Sequence, residues 1–392
     1  MTVTHERRDT HPLTPERLLD SYVAGDFFFA TRQHTILGIG RREVLTAVDP
    51  ARLADTVAAE LTDLGAPLAV GVLPFDTTAS GTSPTRIVVP RDVRIAGPAH
   101  PAAATLTRRT VGVPIGVRAV PHPARHEEAV ARALTELRHR DLRKVVLARA
   151  LDVEFADPVP AEAVLRNLVR DNPEGYTYAA GLPAGRVLVG ATPELLISRR
   201  GTRVFAHPHG GSAPRSADPA TDAANAEALL ASEKDHAEHA VLREAVLEAL
   251  RPLCRSLTAP DTPSLAATPT MWHLGTTIAG ELVDPDISAL RLAAELHPTP
   301  AICGTPTDTA RGLARRLEPF DRGYYAGAVG WVDAAGDGEW AVAIRCAEVA
   351  DHSLRMYAGG GIVAASEPAA ELAETSAKFQ TLLRAMGLDL DF

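Results

Sequence analysis

Two periodicities of hydrophobic and polar positions alternate along the chain, and they predict strands and helices. RKVVLARALDVEF, which begins at Arg143, carries valine, leucine and alanine on both alternating faces and predicts a central strand covered on two sides. YTYAAGL and RVLVGATPELLISRRGTRVFAH predict antiparallel strands, with a hairpin at Arg200-Gly201. TMWHLGTTIAGEL predicts one further strand, and YYAGAVGWVD, EWAVAIRCAEV and HSLRMYA predict a meander. HPHGGSAPRSADP predicts a loop.

Helical periodicity lies between these strands. The segment from about Asp222 to Leu253 predicts one long helix. The stretch from Tyr357 to Phe379 predicts a glycine-rich loop, Gly359-Gly360-Gly361, followed by a helix with Ser366 as candidate N-cap and its end near Gly387. The other predicted helices span about 50–64, 127–140, 160–171, 287–296 and 307–317.

The order of these elements favours the α+β class. Many strands follow one another with helices inserted, and there is no regular βαβ alternation, so a mainly antiparallel sheet core flanked by helices is expected. The chain has 392 residues, which suffice for two or three average domains or for one large domain. We predict a single large domain.

Composition excludes several classes of function. Hydrophobic residues make up 46% of the chain and charged residues 23%, as in ordinary soluble proteins. The net charge is −9 and there is no basic run, so no nucleic-acid partner is expected. The polar start has no signal core, and no apolar run has the length of a membrane span. Three separated cysteines form no metal or disulfide framework. These features predict a cytoplasmic protein, with a monomer as the default state.

Lysine is rare, although basic residues are not. Only Lys144, Lys234 and Lys378 are lysines, and the other 37 of the 40 basic residues are arginines. Lysine is a compact point charge that loses its proton more readily when buried, whereas arginine stays charged. All three lysines are therefore candidates for roles that a guanidinium cannot fill.

Acidic residues near two of these lysines suggest metal chemistry. Glu371, Glu374 and Lys378 share one face of the last predicted helix, and carboxylates beside glycine-rich backbone suit a metal and an anionic ligand. The alternative is a solvated face with an i, i+4 salt bridge. Glu238 lies on an apolar stripe, where a carboxylate is costly unless it is paired or bound to metal. Its alternative is a rim glutamate paired with Lys234 or an arginine.

Several long motifs together resemble one family. HPTPAICG, EPFDRGYYAGAVGWVDAAGDGEWAVAIRCAEV and YAGGGIV…ELAETSAKF closely resemble the chorismate-utilising enzymes, especially isochorismate synthases that feed 2,3-dihydroxybenzoate and catecholate siderophore pathways. RKVVLARAL, VGATPELLISRRG, GGSAPR and LLASEKDHAEH support the resemblance, which covers about residues 125–390. We therefore expect a chorismate-binding catalytic region over 121–392. Residues 1–120 are expected to form a divergent N-terminal part that packs on the same sheet core.

The resemblance implies a Mg²⁺-dependent isomerisation of chorismate to isochorismate, in which water adds at C2 of the ring and the C4 hydroxyl leaves. It implies that Lys144 is the base that activates water and Glu194 the acid for the leaving hydroxyl. It also implies Glu238 and Glu374 as Mg²⁺ ligands, with Glu371 close by. The substrate-binding positions that it implies are Gly211, Ser212, Ala301, Tyr325, Ile344, Arg345, Gly359 and Lys378.

The chemistry of the reaction agrees with these residue types. Water is a poor nucleophile and needs a base, while hydroxide is a poor leaving group and needs a protonated acid. The pKa of Glu194 is therefore expected to be raised. Arg345 suits a substrate carboxylate. The alternatives are that Lys144 and Glu194 only mark strand ends and that Arg345 pairs with a surface acid.

Other functions and some departures from the family pattern stay open. A salicylate synthase, an ammonia-using anthranilate or aminodeoxychorismate synthase and a non-catalytic chorismate-binding homologue are the alternatives. Lys144 argues against the ammonia users, and Ala301 in HPTPAICG favours the isomerase. The departures are Gly360, Tyr325 and the HPHGGSAPR segment. His207 and His209 in that segment lack a third ligand at a suitable spacing, so we assign them no metal.

Overall fold

Two large antiparallel sheets form the centre of the molecule. The computed structural model describes residues 13–99, 103, 105–139 and 141–390, and all of its strand pairs are antiparallel. The first sheet has ten strands in the order β18-β8-β22-β21-β10-β9-β1-β2-β6, with β7 also paired to β8. Its strands are β1 (Phe27–Ala30), β2 (Thr35–Ile39), β6 (Asp92–Ala96), β7 (Pro114–Val120), β8 (Lys144–Phe155), β9 (Tyr176–Gly181), β10 (Val187–Thr192), β18 (Gly304–Thr305), β21 (Cys346–Ala350) and β22 (Ser353–Ile362).

The second sheet has nine strands and the third has three. The order of the second is β14-β17-β12-β11-β20-β19-β4-β5-β3, and that of the third is β13-β16-β15. The strands of the second sheet are β3 (Glu43–Ala47), β4 (Leu68–Leu73), β5 (Thr85–Val89), β11 (Leu195–Arg200), β12 (Arg203–His207), β14 (Cys254–Thr258), β17 (Ile278–Leu282), β19 (Ala328–Asp333) and β20 (Gly338–Val342). Those of the third are β13 (His209–Pro214), β15 (Ser264–Ala267) and β16 (Met271–Gly275).

Nine α-helices in the described residues pack on these sheets, and each of them is too short or too polar to cross a lipid bilayer. They are α1 (Pro15–Ser21), α2 (Pro50–Leu64), α3 (Pro123–His139), α4 (Ala161–Asp171), α5 (Pro219–Ala231), α6 (Glu233–Leu250), α7 (Ala289–Leu296), α8 (Thr307–Leu317) and α9 (Pro368–Met386).

The first sheet is covered on both faces, as the apolar character of its strands predicts. In β1, Phe27 and Phe29 belong to a core shared with the second sheet, whereas Phe28 belongs to a core shared with α1, α4 and α9. Eight consecutive residues from Lys144 are buried in β8, which confirms the predicted central strand. Strands β1, β2 and β6 of the N-terminal part lie in the first sheet, and β3, β4 and β5 lie in the second.

Four predicted segments are wrong in detail. The long helix breaks into α5 and α6, because Ser232 caps the new helix by accepting a hydrogen bond from the Asp235 amide. TMWHLGTTIAGEL divides into β16 and β17 in different sheets. Residues 209–214 form β13 and not a loop. The triple glycine is part of β22, where Gly359, Gly360 and Gly361 pair with Ala148, Leu147 and Val146 of β8.

A buried glutamate in the second sheet makes stability depend on pH. Glu339 of β20 is 5% exposed and lies 3.3 Å from His34 Nε2. Burial raises the pKa of Glu339 from its ordinary value of 4.5 to about 7, although the Arg200 guanidinium opposes the rise. The folded chain therefore holds this proton over a pH range in which the unfolded chain has lost it. Its contribution to stability is fully present below pH 4.5 and is lost as the pH rises through about 7.

Glu339→Gln should remove this dependence, because glutamine carries no charge at any pH. The free energy of unfolding of the variant should increase relative to that of the parent by on the order of 2 to 3 kcal/mol between pH 5 and pH 8. Denaturant unfolding at several pH values measures the difference. Glu295→Gln on the exposed side of α7 is the control and should show no such trend. A pH-independent difference for Glu339→Gln would contradict the assignment.

Candidate active site

Two strand crossings between the large sheets lie side by side and create the candidate site. The chain leaves the first sheet after β10 and enters the second at β11, and Glu194 lies in this crossing. It returns from β20 to β21 through Arg345, whose φ of +50° ends the predicted strand EWAVAIRCAEV. The Val342 amide donates to the Glu194 carbonyl at 3.0 Å, and the Ala191 amide donates to the Arg345 carbonyl at 3.1 Å. Two ionisable residues are thereby fixed where the sheets separate.

A cavity opens at these crossings, and its empty space together with the open solvent at its mouth is about 620 Å³. It brings together eleven of the thirteen residues that the resemblance implied, and the other two, Lys144 and Glu371, lie directly behind its wall. The eleven are Glu194, Gly211, Ser212, Glu238, Ala301, Tyr325, Ile344, Arg345, Gly359, Glu374 and Lys378.

Each lysine of the chain pairs with one of the three glutamates implied as metal ligands. Lys144 Nζ donates to Glu238 Oε1 at 2.7 Å, and Lys144 is 2% exposed. The alternative for Glu238 was a pair with Lys234 or with an arginine. That alternative is wrong, because the described partner of Glu238 is Lys144. The pairs bring three carboxylates into a buried region with a matching number of positive charges.

The two other pairs involve α9. Lys378 Nζ donates to Glu374 Oε1 at 2.6 Å and to the Gly359 carbonyl at 2.8 Å. This is the i, i+4 salt bridge that the spacing allowed, but it faces the cavity and not open solvent. Lys234 Nζ lies 3.2 Å from Glu371 Oε1, whose side chain is 1% exposed.

Electrostatics separate the carboxyl groups into two kinds. Burial raises the pKa of Glu194 to about 7, against the opposing effects of the His209 backbone amide and of Lys144. The raised pKa expected of this acid is thus confirmed. Burial also raises the pKa of Glu371, and the neighbouring Glu374 adds to the rise. Burial favours a higher pKa for Glu374 too, but the Lys378 ammonium outweighs it and holds the pKa below its ordinary value.

The three glycines of β22 give the site its space. A Cβ on Gly359 would lie 2.8 Å from the Tyr325 hydroxyl, and one on Gly360 would lie 2.9 Å from Glu371 Oε2. A Cβ on Gly361 would lie 2.7 Å from both Glu238 Oε1 and Lys144 Cε. These distances are shorter than ordinary contacts, so this stretch of strand must lack side chains for the carboxylates and Lys144 to occupy their positions.

Tyr325 is the tyrosine of the cavity wall, and a second ring supports it from behind. Tyr325 stacks on Tyr357 with ring centroids 4.9 Å apart and an angle of 7° between the planes. Ala301 and Ile344 line the same cavity. The cavity therefore places an apolar surface beside the cationic side chains of Arg345 and Lys378.

Sequence reasoning missed several residues of the site. His209 and His273 line the cavity, and Asp235 Cβ lies 2.8 Å from the position that a Cβ on Gly211 would take. Asp235 stands three residues before Glu238 on α6, so the helical spacing already contained the signal. His273 faces Ser212 across the β13–β16 pair, and that register could not be derived from a segment interpreted as a loop. The other unpredicted lining residues are Val146, Pro193, Gly210, Ile302, Ala326 and Gly361.

The profile of the family described as chorismate binding enzyme matches residues 104–387 of this sequence. The chain belongs to the chorismate-binding enzyme family. The resemblance drawn from the motifs is thereby confirmed. This chorismate-binding enzyme presents the cavity described above within the matched region.

Two relatives and one solved structure agree with the assignment. Isochorismate synthase DhbC of Bacillus subtilis is 45% identical over 95% of this chain and 96% of that protein. The vibriobactin-specific isochorismate synthase of Vibrio cholerae is 39% identical over 96% of this chain and 95% of that protein. A crystal structure from Bacillus anthracis, described as a 2,3-dihydroxybenzoate-specific isochorismate synthase, has a TM-score of 0.89 and 42% identity over 95% of this chain and 99% of that chain. The predicted α+β class is confirmed.

Gly361→Ala should lower the turnover of chorismate by roughly 10²-fold, the scale expected when reacting groups move by about 1 Å. The added methyl group displaces the Lys144–Glu238 pair. Steady-state kinetics and thermal unfolding measure the effect and check the fold. Gly116→Ala in β7 is the control, because the nearest atom to its Cβ is 3.5 Å away. Unchanged turnover in Gly361→Ala would show that the close packing at this glycine is not needed.

Proposed function

We propose that this chain is a Mg²⁺-dependent isochorismate synthase that adds water at C2 of chorismate and removes the C4 hydroxyl by general acid–base catalysis. One observation carries the proposal: Glu194 and Glu238 line the same cavity. Glu194 is buried and has a raised pKa, and Glu238 accepts a hydrogen bond from Lys144. The isomerase activity is also the one named for the two relatives and the solved structure above.

In this mechanism, Lys144 and Glu194 handle the two protons. Lys144 is assigned as the base, which takes a proton from the attacking water while the new C2–O bond forms. The ring double bonds shift and the C4–O bond breaks, and the Glu194 carboxyl gives its proton to the leaving hydroxyl, which departs as water. A pKa near 7 lets Glu194 hold that proton at neutral pH. The residues lie on separate elements, Lys144 on β8 and Glu194 between β10 and β11.

Substrate binding is assigned to the cationic and backbone donors of the cavity. Arg345 offers a planar pair of donors for one carboxylate of chorismate. Lys378 has three N–H donors, of which two are used in the described hydrogen bonds to Glu374 and Gly359. The backbone of Gly211 and Ser212 adds close donors, and Ala301, Tyr325 and Ile344 contact the ring.

The carboxylates fit a Mg²⁺ site in which substrate and water supply the remaining ligands. In the described part of the chain, no three His, Cys, Asp or Glu side chains are grouped to hold a metal. Mg²⁺ is commonly bound through one or two carboxylates together with ligand oxygens and waters. Glu238 and Glu374 would hold it, with Glu371 behind them. When bound, the ion would supply charge neutralisation for a substrate carboxylate.

The direct test is product analysis. The purified chain should convert chorismate to isochorismate with Mg²⁺ present, and EDTA should abolish turnover until excess Mg²⁺ is restored. Chromatography separates isochorismate from salicylate and pyruvate. Salicylate with pyruvate would establish the salicylate synthase alternative. No turnover at all, with chorismate binding retained, would establish the non-catalytic homologue.

We further propose that the product enters 2,3-dihydroxybenzoate and siderophore synthesis, as the names of the relatives suggest. A cytoplasmic monomer is the simplest state, since one chain lines the whole cavity and all three cysteines carry free thiols. Light scattering after gel filtration tests the monomer, and cell fractionation tests the compartment.

A further inference from the structure

The proposed mechanism leaves Glu194 without its proton after each turnover. Glu194 is 3% exposed and faces the cavity that the substrate fills, so its carboxylate has little contact with bulk water while a ligand is bound. Lys144 lies on β8, away from Glu194, so the proton that it takes up is not returned directly to the acid. Glu194 must regain a proton before the next substrate reacts. The argument that follows rests on the proposed role of Glu194 as the acid.

A second cavity lies next to the candidate active site, and the two cavities share part of their lining. We call it the outer cavity; it has about 590 Å³ and its lining includes Arg32, Glu174, Pro193, His207 and His209. Pro193 and His209 line both cavities, so they form the partition between them. The side chains of Arg32 and Glu174 are 67% and 50% exposed, which places this part of the outer cavity at the surface.

Two histidines cross the partition in contact with each other. His209 Nε2 lies 3.2 Å from His207 Nδ1, and the ring centroids are 4.5 Å apart at an angle of 81°. His207 is half-buried and lines only the outer cavity, whereas His209 is buried and reaches both. The pair therefore connects the surface side to the candidate active site.

His209 also contacts the acid. Its backbone N–H donates to the Glu194 carboxyl group. Its Nδ1 is buried and has no hydrogen-bond partner among the described side chains and backbone. Glu194 and His209 line the same cavity, so the buried, unpartnered ring nitrogen of His209 lies at the wall that it shares with the acid.

The surroundings keep His209 in the state that a relay needs. Burial lowers the pKa of His209 well below its ordinary value, and the ionisable groups that face it, His207, His273, His239 and Arg345, lower it further. A neutral imidazole has one N–H and one lone pair, so it can accept a proton at one nitrogen and release one at the other. Burial and the nearby Arg345 guanidinium therefore keep a proton from being held on the ring.

We propose that His207 and His209 form a proton relay that returns a proton from the outer cavity to the Glu194 carboxylate. His207 takes a proton from water in the outer cavity, and His209 receives one at Nε2 and releases one from Nδ1 through a water to Glu194. Both histidines belong to the segment HPHGGSAPR, which spans the end of β12 and the whole of β13.

His209→Ala tests the relay through its signature in kcat. In a buffer without small proton carriers, kcat should fall by about tenfold, which is less than the 10²–10⁴-fold effect of losing an acid itself. KM for chorismate should stay unchanged, the solvent deuterium isotope effect on kcat should increase, and free imidazole should restore turnover. A half-buried position tolerates change better, so His207→Gln is a second variant with the same expected pattern. Unchanged kcat in both variants, or a loss that imidazole does not restore, would overturn the proposal.

His126→Ala is the matched control. His126 is a buried histidine of α3 that lines neither cavity, so imidazole should not affect its kcat. Glu194→Gln separates the two levels of the argument. Full turnover in Glu194→Gln would contradict both the role of Glu194 as the acid and the relay that serves it. An inactive Glu194→Gln with an unaffected His209→Ala would overturn the relay alone.

Discussion

Lys144→Met should lower kcat for isochorismate formation by about 10²–10⁴-fold, the range expected for the loss of a general base. Methionine keeps the length and the apolar stem of the side chain in β8 but cannot accept a proton. Glu238 also loses its 2.7 Å partner, yet it lines the cavity and stays available to a cation. Initial rates of isochorismate formation at saturating Mg²⁺ measure the effect.

Lys234→Met is the control for this variant. It also removes an ammonium from a glutamate implied as a metal ligand, but the Lys234 side chain is 36% exposed, whereas Lys144 is 2% exposed and packs against Gly361 of the cavity wall. A modest loss that additional Mg²⁺ offsets is expected. Lys144→Met with activity within about tenfold of the parent would show that this lysine is not the base.

Glu194→Gln should lower kcat by about 10²–10⁴-fold as well, and it should change the pH profile. The acid must be protonated, and burial raises the pKa of Glu194 to about 7. In the parent, kcat/KM should therefore fall as the pH rises above about 7. Glutamine cannot lose a proton in this range, so this limb should be absent from the residual activity of the variant.

The matched control is Glu339→Gln. Burial gives Glu339 a similarly raised pKa of about 7, but Glu339 does not line the cavity. The control should keep both its activity and the alkaline limb. If Glu194→Gln retained the limb, another group would have to be the acid.

Local patterns predicted much of the fold. β8 and α8 follow from residues whose periodicity agrees with their burial. The errors occur where tertiary contacts decide. Nothing local distinguishes a triple glycine in a loop from one in a strand, and Gly359–Gly361 are extended because β8 pairs with them on one side. The interruption at Arg345 needs a left-handed backbone conformation that the apolar strand pattern does not reveal.

The candidate site followed a similar division. Motifs carried the resemblance, and most of the residues that it implied line the cavity. The lysine–glutamate partners could not be derived, because Lys144 and Glu238 are 94 residues apart in sequence. The position of Asp235 near Glu238 could have been predicted from helical spacing alone. His209 and His273 were not, since their proximity depends on the third sheet.

The paired crossings at Glu194 and Arg345 also bear on how such a site can diverge. Each side chain belongs to the short span between two sheets, and the spans are hydrogen-bonded to each other's flanks. A small sliding of one layer over the other would alter the separation of carboxyl and guanidinium without exchanging either group. Substitutions in the distant core between the layers can therefore retune the chemistry of the cavity while every residue in its wall stays the same.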